Sequence, residues 1–240
     1  SYDFPLPPLE EQRRIVEMFG AMKIAREAIK VSELNLFYVL RAHLSNFFEP
    51  RFRQGVPLPT VARIVAGSTP SKADPELWGK GHPWASGKDL KTRDLTKTEN
   101  TLTEKGWMQA TIAPKGSTLI VVRGMILAHT FPVTRCKQDT AFNQDLRALI
   151  AGDRLEPNYL LLWAEWAAPW FLRCTAASSH GTRRIEGQVF DRALVPIPKW
   201  EEQIDFIVEH QMIIDMNSAL KKRGARHNEI IRLFLNFGME

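Results

Sequence analysis

The sequence predicts an α+β protein: one mixed α/β globular domain carried between two long antiparallel coiled-coil helices. Three observations predict it. A helix-starting motif occurs twice, 191 positions apart; each copy opens a long amphipathic rhythm; and the chain between them carries short β-rich runs broken by turn residues. At 240 residues, 44% hydrophobic and 25% charged, the chain has the apolar content of an ordinary folded protein. The expected division is 1–50 for the first helix, 51–195 for the globular domain and 196–240 for the second helix.

The first copy begins Pro5-Leu-Pro-Pro-Leu-Glu-Glu-Gln12 and the second Pro196-Ile-Pro-Lys-Trp-Glu-Glu-Gln203. The offset holds without a gap, matching Ala28 with Ala219, Lys30 with Lys221, Arg41 with Arg232 and Glu49 with Glu240. Prolines ahead of the first turn and paired glutamates facing the positive end of the helix dipole are what a helix start requires. Read as heptads, the seam of the first helix contains Ile15, Met22, Ile29, Leu36 and Val39, and that of the second Phe206, Ile213, Leu220, Ile230 and Phe234. His43 and His227 fall on seam positions and read as interior or edge histidines. Connectivity then sets the direction: a compact middle domain that returns the chain near its exit point leaves the two helices antiparallel.

In the middle, Thr60 to Val65, Ser117 to Val122, Ile126 to Phe131 and Leu146 to Ile150 read as strands, and Pro157 to Cys174 as a helix. The aromatic side chains of that helix, Tyr159, Trp163, Trp166 and Trp170, read as core. The intervening loops mix Ser, Thr, Lys and Arg with Gly: Gly67 to Lys72, Trp84 to Arg93, Arg135 to Lys137 and Ser178 to Arg184. Such loops let backbone approach phosphates and side chains reach base edges.

Charge is concentrated in the same place. Residues 1–50 and 196–240 each hold 6 basic and 7 acidic residues, whereas 51–195 hold 20 basic and 13 acidic, so the net +5 is entirely central. A basic domain between near-neutral flanks suits a polyanion. The longest apolar run, Tyr159 to Leu172, is interrupted by Glu165 and Pro169 and is shorter than the roughly 20 residues of a membrane span. With 2 cysteines and no basic-then-apolar start, a cytoplasmic protein is expected.

Familiar catalytic patterns are missing from the sequence. Gly81-His-Pro-Trp-Ala-Ser-Gly87-Lys88-Asp89 fails the spacing and ending of a nucleotide phosphate loop. There is no HExxH or CxxC for zinc, no Gly-x-Ser-x-Gly elbow at Ser117, and no GxGxxG or Asn-Pro-Pro-Tyr for a dinucleotide or methyl donor. No metal, cofactor or catalytic residue is expected in this chain. A nuclease and a protein-only coiled-coil adaptor are the alternative readings.

The duplicated Pro-x-Pro…Glu-Glu-Gln start flanking a basic domain resembles the specificity subunits of type I restriction-modification systems. Gly67-Ser-Thr-Pro-Ser71, Trp78-Gly79, Pro83-Trp84, Asp89-Leu90, Phe142-Asn-Gln-Asp145 and Gly181-Thr182 resemble that family's target recognition domain. The resemblance implies a non-catalytic subunit that reads double-stranded DNA, with one recognition domain here and hence one half of a bipartite site. It implies adenine methylation by separate modification subunits with S-adenosylmethionine, and Mg- and ATP-dependent cleavage by a restriction/translocase subunit. A homodimer formed by stalk pairing would restore a second recognition domain. The candidate DNA-binding residues are Lys72, Ser86, Lys88, Lys91, Arg93, Arg123, Arg135, Lys137, Asn143, Gln144, Arg183 and Arg184.

Overall fold

A computed structural model describes residues 7–177 and 181–237. Five helices are present among them: α1 (Leu9–Phe48), α2 (Glu104–Gln109), α3 (Pro157–Arg173), α4 (Gly187–Arg192) and α5 (Trp200–Phe237). The strands are β1 (Val56–Pro57), β2 (Ala62–Ala66), β3 (Trp78–Ala85), β4 (Asp94–Leu95), β5 (Asn100–Leu102), β6 (Ile112–Ala113), β7 (Thr118–Val121), β8 (Arg123–Gly124), β9 (Val133–Cys136), β10 (Thr140–Phe142), β11 (Leu146–Ala151), β12 (Ala176–Ala177), β13 (Arg183–Arg184) and β14 (Leu194–Val195). None of the described helices is long and apolar enough to cross a membrane.

The chain divides into two compact units, one holding α1 up to His43 and α5 from Glu209, the other Leu44–Val208. The division therefore falls inside the long helices, not at their ends near residues 50 and 196. The reason is packing: Leu44, Phe48 and Phe206 are buried in the core of the Leu44–Val208 unit.

That unit is built on a five-stranded sheet of order β2-β11-β7-β9-β4, antiparallel except where β4 runs parallel to β9. A second sheet has the order β5-β3-β10-β6, with β3 and β10 parallel. Two small sheets, β12-β13-β8 and β1-β14, complete it. Helix α3 supplies the largest apolar side chains. Pro157 opens it, and the Glu156 carboxylate caps it by accepting from the Asn158 and Tyr159 backbone N–H groups. Tyr159 and Trp163 are buried, and their polar atoms are satisfied by carbonyls: Tyr159 Oη donates to Pro196 O at 3.0 Å and Trp163 Nε1 to Leu194 O at 2.9 Å. Trp166 packs on Phe48 and Phe52, and Phe47 stacks on Phe206 with centroids 3.8 Å apart.

One expected strand is corrected. Residues 126–131 do not form one: Met125–Ala128 is a 3₁₀ turn. Leu127 and Phe131, four apart, are both buried, and Phe131 stacks on Phe171 at 4.9 Å. That spacing suits a helical turn better than the alternation of a strand.

The two repeat glutamines do the same local job. Gln12 Nε2 donates to Pro7 O at 2.7 Å, and Gln203 Nε2 to Pro198 O at 3.1 Å, the carbonyl five residues back in each case. Gln203 does more. It is 1% exposed, donates to Arg154 O at 3.0 Å and accepts from Glu156 N at 2.9 Å, so it ties the first turn of α5 to the start of α3.

In the unit formed by the outer parts of α1 and α5, the rings of His43 and His210 lie 5.5 Å apart. Of the expected seam, Ile15 and Leu36 are half-buried and Ile213 likewise, while Val39 is 50% exposed. The side chains of Met22, Ile29, Leu220, Ile230 and Phe234, and that of His227, lie outside the described residues. Val39 is a correction with a geometric cause. A helix of 3.6 residues per turn drifts about 20° per heptad against a 3.5-residue frame, so over the 24 residues from Ile15 to Val39 a strict heptad count is displaced by roughly 70°, most of one residue. Leu40, His43 and Phe47 take the inward positions instead.

Candidate functional site

One end of the five-stranded sheet gathers the polar loops. The register sets Ala66, the last residue of β2, opposite Arg147, and Val121, the last of β7, opposite Leu146. Parallel pairing of β3 and β10 places Ala85 beside Phe142, so the chain leaves both strands side by side at Ser86 and Asn143, and Asn143 N donates to Ala85 O at 2.9 Å. The loop after β2 folds over the same turn: Ser68 N donates to Phe142 O at 2.8 Å and Thr69 Oγ1 to Gln144 Oε1. Gly67 permits this seat, since a Cβ there would lie 2.1 Å from Asn143 O and 2.4 Å from Phe142 O.

The β7–β8 connection joins them, with Val122 N donating to Asp145 O at 2.8 Å. Antiparallel pairing of β8 with β13 then puts Arg123 opposite Arg184 and Gly124 opposite Arg183. Four separate stretches, 67–72, 86–91, 122–124 and 143–147, therefore converge with β13. Of the sequence candidates, Ser86, Arg123, Asn143, Gln144 and Arg184 lie where these stretches meet, and Lys72, Lys88, Lys91 and Arg183 lie on the same stretches. Lys72 Nζ is 6.0 Å from the Trp84 ring centre. The Asp89 carboxylate holds the second loop in shape by accepting from Ser86 N, Ser86 Oγ and Glu99 N. Lys88 and Lys91 are exposed on that loop and line a groove of about 540 Å³ with Gly87, Ile126 and Thr130.

Other candidates have different placements. Asn143 is 9% exposed, its Nδ2 3.4 Å from Asp145 Oδ2, so it shapes the turn. Arg183 donates to Thr175 Oγ1 at 3.1 Å. Lys137 is exposed after β9. Arg93 and Arg135 are engaged by α3 and its neighbours: Arg93 Nε donates to Glu165 Oε1 at 2.7 Å, and Arg135 donates to Asp94 Oδ1 at 2.7 Å and to Asn158 Oδ1. Their guanidiniums hold the α3–β9 junction, which accounts for both residues without an external ligand.

Sequence reasoning passed over Arg147 and Thr69. Arg147 sits in the run Leu-Arg-Ala-Leu-Ile, which reads as a core strand; the signal was a lone cation at a position whose neighbours on both sides are buried.

The Arg93–Glu165 pair yields a prediction. Burial pushes the Glu165 carboxyl above its ordinary range, against the opposing pull of Arg93 and then Arg135. Between the ordinary and the raised value, the folded state holds a proton that the unfolded state has released, so stability declines as pH rises through that window. Glu165→Gln should flatten this decline and cost under about 1 kcal/mol at neutral pH, while Arg93→Ala, which leaves a partly buried carboxylate without its partner, should cost about 2 kcal/mol. Urea unfolding at pH 5 and pH 7 measures both.

Among the described residues, no three His, Cys, Asp or Glu side chains gather as a metal site. What fold and site define is a basic α+β domain whose chain enters and leaves through two long helices, with a cationic loop surface at one end of its main sheet. Comparison with known proteins narrows this class. No family model matches the chain. It is 26% identical over 197 residues to a type I restriction enzyme specificity subunit of Escherichia coli, a match covering 79% of this chain and 48% of that protein. Two solved structures share the fold: a chain from a study of assembly and conformational transition in a type I restriction-modification system (TM-score 0.64, 22% identity, 96% of this chain and 58% of that one), and the HsdS subunit of Thermoanaerobacter tengcongensis (TM-score 0.60, 23% identity, 96% and 57%). The chain is thus similar to a type I specificity subunit, and it spans about half the length of the curated relative it matches.

Proposed function

We propose that this chain is a non-catalytic DNA-recognition chain of a type I restriction-modification complex, reading one half of a bipartite duplex site in the cytoplasm. The observation that carries the proposal is the convergence of the 67–72, 86–91, 122–124 and 143–147 stretches at one sheet end, in the domain that holds all the surplus positive charge. Lysine and arginine there hold phosphates, and an exposed amide such as that of Gln144 reaches base edges. In this reading Arg93 and Arg135 position α3 and do not touch DNA.

The two helices act as an antiparallel coiled-coil spacer. The contacts Phe47–Phe206 and His43–His210 support this, because four residues back along α1 corresponds to four forward along α5. A second apolar stripe of α1, Leu9, Val16, Ile24, Val31 and Tyr38, is 55% to 70% exposed at spacings of seven or eight and suits partner helices. The proposed partners are the methyltransferase subunits, which bring S-adenosylmethionine, and through them the restriction subunit with its Mg and ATP. A second copy of the chain, paired along the stalk, supplies the other half-site.

The test is genetic. In a host expressing this chain with its modification subunits, mapping methylated adenines should give one bipartite motif that disappears when this chain is deleted and changes when residues 51–195 are exchanged for those of another such protein. An unchanged adenine methylation pattern contradicts the proposal.

A further inference from the structure

We infer that Arg123, Arg147 and Arg184 form a clamp for one phosphate group, which in the assembled complex is a phosphate of the DNA backbone; in that last step the inference rests on the DNA-reading proposal. The three side chains come from three strands. Antiparallel pairing sets Arg123 of β8 directly opposite Arg184 of β13, so their side chains share a face of the small sheet. Like charges so placed repel, and an anion held between them relieves the repulsion. Two carboxylates stand nearby. Glu186 takes Arg184 at 2.8 Å, and Asp145 reaches Arg123 only at 4.0 Å, beyond hydrogen-bond distance.

Arg147 enters from β11 two residues past Asp145, whose carbonyl accepts from Arg123 N at 3.3 Å, so the start of β11 lies against β8. Arg147 has no ion pair among the described residues. Its Nη1 donates to Gln144 O at 3.1 Å and Leu146 O at 2.9 Å, which fixes the plane of the guanidinium and, among the described residues, leaves its other N–H groups without an acceptor. Burial, and next the charge of Arg184, push its proton affinity below the ordinary guanidinium value, while Asp145 acts the other way. Three cations thus face two carboxylates, one of them already engaged. A planar fork held by backbone carbonyls matches two oxygens of a phosphate in bidentate fashion.

The experiment uses the purified full chain and its Arg147→Gln, Arg147→Lys and Arg63→Gln variants; Arg63 is exposed on β2, away from the clamp. Binding to duplex DNA is followed by fluorescence anisotropy across a salt series, and melting is followed in sodium phosphate and in sodium chloride of equal ionic strength. Arg147→Gln should weaken DNA binding about tenfold and lower the salt slope by about one, with Arg63→Gln unchanged. Phosphate should raise the melting temperature of the wild type more than that of Arg147→Gln; its general salting effect is common to both. Arg147→Lys should retain the salt slope and lose part of the affinity. If Arg147→Gln does not fold, Arg184→Gln, at an exposed position, takes the same measurements. Wild-type slope and affinity in the glutamine variant, with equal melting shifts in phosphate, overturn the clamp. Absence of salt-dependent DNA binding by the wild type sinks the DNA-reading proposal instead, and the phosphate melting difference still decides whether the clamp exists.

Discussion

Gln203→Ala is expected to destabilise the Leu44–Val208 unit by about 3 kcal/mol, whereas Gln12→Ala should cost under about 1 kcal/mol. The two residues occupy equivalent positions in the repeat and bond the same proline-segment carbonyl, so local helix capping is common to both. What differs is burial. Removing the Gln203 amide strands Arg154 O and Glu156 N against a side chain that was 1% exposed, and it unties α5 from the cap of α3. Gln12 makes no counterpart to those two bonds among the described residues and sits half-buried on its own helix. Urea denaturation monitored by tryptophan fluorescence, which reports on the Trp163 and Trp166 environment, measures the difference; equal midpoints for the two variants contradict the assigned role.

The second large effect is expected at Gly67. A methyl group there meets two backbone carbonyl oxygens at 2.1 and 2.4 Å, and neither moves without breaking the turn that carries Gln144. Gly67→Ala should cost about 3 kcal/mol, in the range of overpacked interiors, and should displace the 67–72 loop from the 142–145 turn. Duplex DNA affinity is expected to fall at least tenfold while the far-ultraviolet circular dichroism of the folded protein is preserved. Gly187→Ala, where a Cβ meets nothing within 4 Å, is the matched control and should leave both unchanged. An alanine variant at 67 with wild-type affinity shows that the loop seat is not part of the DNA surface.

The sequence made the large organisation legible because that organisation is written locally. A duplicated helix start at fixed offset, a central charge surplus and the aromatic run of Pro157 to Cys174 each depend on neighbours within a few turns. The rest depends on pairing over distance. Strands of two or three residues, such as β6 and β10, carry no periodicity to read, and the parallel β3–β10 ladder joins residues 84 and 141, which no turn signal connects. Arg147 was hidden because a β-rich run suggests core, and only the register opposite Ala66 shows that it stands at the end where the loops meet. Arg93 and Arg135 failed in the opposite sense: they sit in basic loop sequences, yet Glu165 and Asp94, 72 and 41 residues away, engage them. Val39 shows the limit of a fixed heptad count on a helix of 40 residues.

The central claim is that the basic domain holds duplex DNA through its phosphates. The direct measurement is the affinity of the purified chain for a duplex as sodium chloride is raised from 50 to about 200 mM. Counterion release predicts a straight decline of log K against log salt with a slope of several units, near −0.9 for each phosphate neutralised. An affinity that does not change over this range contradicts it and leaves the chain a protein-binding adaptor.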